Sequence, residues 1–132
     1  METGDRKIKS YSDLDVFQRS YKAGLIVSKE IAPFLKKIGE PSEANQILRS
    51  SKAIPALIAE GYAKRFQPKH LQKYIDDGIG EANESSVHIS YAKDLGHPNP
   101  KLCKGLMDEY TIIGKQLYAF GKSWQKVKEN LP

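Results

Sequence analysis

Few residues of this sequence have the types and spacing that chemistry needs. The strongest cluster is Arg65-Phe66-Gln67-Pro68-Lys69-His70. An arginine and a histidine at that spacing could flank a phosphodiester, the guanidinium holding developing charge and the imidazole moving a proton. Pro68 argues against that use, because it marks a corner between helices and not a mid-helix site. His70 then reads as a surface base. His70, His88 and His97 stand outside any CxxC, HxxxH or HExxH context, so no metal is expected. Cys103 is the lone cysteine; it reads as an inert near-core thiol and fits a reducing cytoplasm. No phosphate-cradling glycine loop is present. The sequence therefore offers no catalytic residue and no cofactor site, and binding is the expected mode of action.

Charge says what could be bound. There are 21 Lys and Arg against 16 Asp and Glu, a net charge of +5. Such a surplus favours anionic partners, nucleic acid above all. The basic residues off the apolar stripes are the candidates. Lys64, Arg65, Lys69 and Lys73 cluster at one corner, Arg49 and Lys52 lie on a preceding segment, and Lys115, Lys122, Lys126 and Lys128 decorate the last one. RNA or DNA is the expected partner, bound through phosphates and so without sequence preference. No stretch approaches the roughly 20 apolar residues that span a bilayer. The opening Met1–Lys7 is polar, with no apolar run of a secretory leader, so a cytoplasmic location is expected.

The elements that must position these residues read as four helices of one all-α domain. Leu14, Phe17, Tyr21, Leu25, Ser28, Ile31 and Leu35 form the stripe of the first, capped at Ser12 with Tyr11 and Val16 as a staple, and kinked or ended at Pro33. The second spans about 42–62 with Ile47, Ser51, Ile54, Ile58 and Tyr62, and Pro55 inside it. The third spans 68–94 with Leu71, Ile75, Gly78, Ala82, Ser85, Ile89 and Ala92, ended by Gly96 and Pro98. The fourth begins at Asn99-Pro100 and carries Leu102, Leu106, Tyr110, Ile113, Leu117, Phe120, Trp124, Val127 and Leu131. Short connections make this an antiparallel up-down-up-down bundle over 11–132, with 1–10 as a flexible tail.

One segment does not fit a lone bundle. Ala53-Ile54-Pro55-Ala56-Leu57-Ile58-Ala59 is apolar all round. A helix apolar on every side is usually covered on every side. Ala53, Pro55, Ala56 and Leu57 are therefore expected in an interface, most simply with another copy of the chain. Arg49 and Glu84 lie at similar depth on antiparallel helices and are expected to form a register-fixing ion pair.

Gln46-Ile47-Leu48-Arg49-Ser50-Ser51-Lys52-Ala53-Ile54-Pro55-Ala56-Leu57-Ile58-Ala59-Glu60-Gly61 resembles the signature of the four-helix bundle family encoded in intervening sequences of bacterial 23S ribosomal RNA genes. Tyr11–Phe17 resembles the start of that family's first helix. Gly80, Glu84, Ala92, Leu95 and Gly96 match a pattern in its third. The resemblance implies ring-like homopentamers. A relative in fold, the accessory protein of diversity-generating retroelements, implies binding of nucleic acid and of a protein partner. Ala53 and Leu57 stand where the pattern has Ser and Asn, which adds apolar surface. Lys52 replaces an apolar residue of the pattern. Arg65–His70 also resembles the motif of the HEPN ribonucleases, although Phe66 takes the place of a polar residue.

Overall fold

The computed structural model describes residues 8–129, with side chains described to Trp124. A short 3-10 turn, Tyr11–Asp13, precedes the first long helix. Ser10 and Asp13 form its capping box. The backbone N–H groups of Lys9 and Ser10 donate to the Asp13 carboxylate at 2.8 and 3.1 Å. Ser10, not Ser12, is thus the capping side chain, and Tyr11 packs edge-on against Phe17 with ring centres 4.9 Å apart. Residues 1–7 of the expected tail lie outside the described residues.

Helix α1 covers 15–37 in three continuous pieces: α-helical Asp15–Ile26, π-helical Val27–Ile31 and α-helical Ala32–Lys37. Pro33 does not end this helix. The extra residue of the π turn lets Ala32 N–H reach back to Val27 C=O, so Pro33 starts a fresh helical piece where its missing donor is not needed. Helix α2 is Pro41–Ala63, α3 is Pro68–Asp94 and α4 is Pro100–Glu129. All three open on proline, which is preset for a first turn. The Asn99 side chain caps α4 by accepting from Leu102 N–H at 2.9 Å. Gly39 and Gly96 end α1 and α3 at φ 81 and 103, a conformation that glycine takes without strain.

The four helices pack in sequence order, and α1 closes on α4. This is a single-domain, all-α, antiparallel four-helix bundle with no strand among the described residues. Its core holds Val27, Ile31, Leu35, Ile47, Ile54, Ile89, Ile113 and Leu117, all 0 or 1% exposed. Every stripe residue named for α3 is buried. The stripe named for α1 needs correction. Tyr21 and Leu25 are 52% and 44% exposed, whereas Val16, Ser20, Ala23 and Gly24 face the core. The reason is close packing. Pro55 leaves the Ser51 carbonyl without its α-helical donor, and α1 sits so near that a Cβ on Gly24 would lie 3.6 Å from that oxygen. Small residues suit that approach, and the large ones turn out. Gly78 against Leu117 and Gly121 against Ile75 set the register of α3 and α4 in the same way, with added Cβ contacts at 3.1 and 3.4 Å.

Candidate nucleic-acid interface

The α2–α3 corner gathers cations and aromatic rings. Arg65 donates from Nη1 to the Tyr62 carbonyl at 2.7 Å. Its guanidinium lies 4.0 Å from the Tyr62 ring centre, 4.8 Å from Phe66 and 5.4 Å from Trp124. Phe66 and Trp124 meet edge-on at 5.4 Å. Arg65 and Lys69 line a cavity of about 230 Å³ with Pro68, Leu71, Gln72, Gly121 and Trp124. Lys69 is exposed and Lys64 half-buried, and neither has an ion-pair partner among the described residues. Lys73 is different, because its Nζ is 2.9 Å from Asp77, and that bond raises its pKa. The corner thus pairs fixed positive charge with rings, the combination that holds phosphates and stacks bases. Trp124 lies on the apolar stripe of α4 and packs partly against the core, so its place at the corner is not visible in the sequence. Its approach to Phe66 depends on α4 returning to the α2–α3 corner, and no local pattern signals that.

Arg65 and His70 turn to different partners. The guanidinium is held among the rings, while His70 Nδ1 is 2.6 Å from Gln67 Oε1 and does not line the Arg65 cavity.

Arg49 lies on another face. Its Nη1 is 3.1 Å from Glu81, and its Nη2 pairs with Glu84. The Arg49 hydrogen bond holds the Glu84 carboxyl below the usual carboxylate range. His88 extends this network, with Nδ1 2.7 Å from Glu43 and Nε2 3.4 Å from Glu84. Beneath it, Ser50 and Ser85 share a buried hydrogen bond of 2.9 Å. The network ties α2 to α3 and offsets the Arg49 charge, so Arg49 belongs to the helix seam and not to the basic corner. Neither Glu81, Glu43 nor His88 stood out in the sequence. His97 is also structural: Nε2–H donates to the Glu30 carbonyl in the π turn at 2.8 Å, and Nδ1 accepts from Asn99 N–H at 3.0 Å. Cys103 is 0% exposed, and burial pushes its thiol pKa up.

The residues named for an interface divide between two grooves. Ala53, Ala56 and Leu57 floor a groove of about 510 Å³ between α2 and α3, walled by Glu60, Asp76, Asp77, Glu81 and Glu84. Pro55 and Lys52 instead line a groove of about 260 Å³ between α1 and α2, beside Tyr21 and Leu25. The helix carries Pro55 round to the opposite seam from Ala53 and Leu57. Lys52 is likewise remote in setting from the corner lysines.

Fold and site together define a basic, all-α four-helix bundle whose cationic and aromatic groups gather at one end. The sequence profile of the 23S rRNA-intervening sequence protein family matches residues 12–119, most of the chain, and the chain belongs to that family. Comparison with curated proteins and with solved structures gives no match. No described helix is long and apolar enough to cross a membrane, and no group of three or more metal-ligating side chains occurs among the described residues.

Proposed function

We propose that this chain is a homo-oligomeric, cytoplasmic protein that binds nucleic acid, above all structured RNA, without catalysing a reaction. The observation that carries the reading is the corner of Lys64, Arg65 and Lys69, where cations without carboxylate partners among the described residues stand beside Phe66 and Trp124. Phosphates would sit on the lysines and Arg65, and an unpaired base would stack on the exposed Phe66 ring. The family's name links it to ribosomal RNA genes, which favours RNA over DNA. Self-association follows from the apolar side of α2, and a ring of five copies follows from the resemblance. Repeated corners would add weak contacts by avidity. Filter binding of a structured RNA across a salt series tests this. Expected is tight binding that falls steeply with salt, and absence of binding even at low salt would overturn it.

The groove over Leu57 favours a second reading, a scaffold that binds another protein. Its acidic walls repel nucleic acid and suit a basic protein surface. Under that reading, mutation of the corner leaves function in cells intact. A ribonuclease has less support, because the cation and the imidazole face different partners. RNA left equally intact by the wild type and by His70→Ala would agree with a binding protein.

A further inference from the structure

We infer that the acidic groove between α2 and α3 receives the outer stripe of α4 from a second copy of this chain, as a head-to-tail contact. The inference rests on the self-association reading above and says which two faces meet. The groove has an apolar floor, Ala56 and Leu57, under acidic walls that include Asp76 and Glu81. Arg49 pairs with Glu81 and Glu84 and Lys73 pairs with Asp77, which leaves Glu60 and Asp76 without an ion-pair partner among the described residues. Those two carboxylates are exposed and open to a cation from outside the chain.

The complementary surface is on the same chain. Lys104, Thr111, Lys115, Tyr118 and Lys122 follow at heptad spacing along the exposed face of α4. Ile112 and Tyr118 are 39% and 59% exposed, and Lys122 lies 5.4 Å over the Tyr118 ring. The lysines therefore run down the middle of the stripe with Tyr118 beside them and Ile112 further round, and they face a groove whose walls are carboxylates. Asp108 is the one acidic residue on this face of α4.

Register supplies the third argument. Gly78 faces Leu117 and Gly121 faces Ile75, so residues 115–122 of α4 stand level with residues 75–80 of α3. The groove and the Lys115–Tyr118 part of the stripe sit at one height along the bundle. A copy rotated about an axis parallel to the bundle, with no shift along it, brings one against the other. Two different faces at equal height give a heterologous contact, which closes as a ring when the rotation between copies is a whole fraction of a turn; an offset would give a filament.

Light scattering on the full chain tests the pairing, with helicity measured by circular dichroism. The variants are Asp76→Lys, Lys115→Glu and the double variant carrying both. Each single reversal is expected to raise the concentration at half-dissociation about tenfold or more, because it sets like charges together. The double variant is expected to recover most of the loss. An associating wild type whose single variants keep its mass, or whose double variant fails to recover, overturns the pairing but leaves self-association standing. A wild type that is monomeric at every concentration overturns both. Lys115→Glu that weakens RNA binding at unchanged mass assigns the stripe to nucleic acid and also overturns the pairing.

Discussion

Lys69 and Lys73 are four residues apart on one helix, carry the same charge, and should behave differently. Lys69 is exposed at the rim of the Arg65 cavity and has no carboxylate partner among the described residues. Lys73 donates to Asp77 at 2.9 Å. Each lysine that meets a phosphate releases a condensed counterion, and the slope of log K against log salt counts those contacts. Lys69→Gln should therefore flatten that slope by about 0.7–0.9 for each copy that engages the RNA. Lys73→Gln removes an ion pair and no phosphate contact. It frees the Asp77 charge, so affinity drops while the slope stays as in the wild type.

The assay is filter binding of both variants and the wild type to one structured RNA between about 50 and 200 mM salt, the range over which such contacts change affinity most visibly. Both substitutions lie on the outer face of α3, so neither should alter the circular dichroism spectrum. A slope unchanged in Lys69→Gln would refute the placement of RNA at this corner. Equal flattening in both variants would refute the argument that Asp77 keeps Lys73 from phosphate.

Three further outcomes test the fold that positions the corner. Leu117 is 1% exposed and fills the space over Gly78, so Leu117→Ala should lower stability in urea by about 2–5 kcal/mol. Gly61→Ala would place a Cβ 3.1 Å from the Cβ of Tyr74, an atom fixed by its backbone. Overpacking of about 1–3 kcal/mol should there outweigh the roughly 1 kcal/mol gained in helix propensity, a net loss of up to about 2 kcal/mol. The Glu84 pKa is lowered in the fold by the Arg49 hydrogen bond. Its contribution is therefore present above the unfolded value of about 4.3 and lost as pH falls through the lower folded value. Glu84→Gln should flatten the acid limb of stability by no more than about 1 kcal/mol, because the pair is solvent-exposed. An acid limb as steep in the variant as in the wild type would show that Arg49 does not act through Glu84.

How much of this was legible depended on residue size. The α3 stripe could be read in full because each inward residue is followed by another at three or four positions, and the exposed ones are mostly polar. In α1 the same counting held for Leu14, Phe17, Ile31 and Leu35 and failed at Tyr21 and Leu25. Tyr21 and Leu25 are the large residues, but Ser20, Ala23 and Gly24 face the core because α2 approaches closely at Pro55. A pattern weighted by size cannot see that a close approach suits small residues. The π turn was hidden for a similar reason: Pro33 signals a missing donor, but whether the chain breaks or inserts a residue depends on what the flanking turns bury. The Arg49–Glu84 pair was accessible from depth along two antiparallel helices. The acidic groove was not, because Glu60 and Asp76 come from different helices and face each other only after folding. The net charge of +5 conceals that groove entirely.

That segregation of charge leads to a prediction with an unexpected sign. The groove is acidic, the α4 stripe basic, and the corner basic at the bundle's end. In a ring of parallel bundles without axial offset, every corner lies on the same rim, and one RNA can touch several of them. Asp76→Lys raises the net charge of each chain, so electrostatics alone would tighten RNA binding. It should also break the contact between copies, leaving each corner to bind by itself. Loss of avidity then dominates, since linked sites can gain about 10²–10⁴ over single ones. The variant should bind RNA about tenfold more weakly or worse despite its added positive charge, and the double variant with Lys115→Glu should recover affinity along with mass. Asp76→Lys that sheds mass yet binds RNA more tightly would refute the shared rim and leave each corner a separate site.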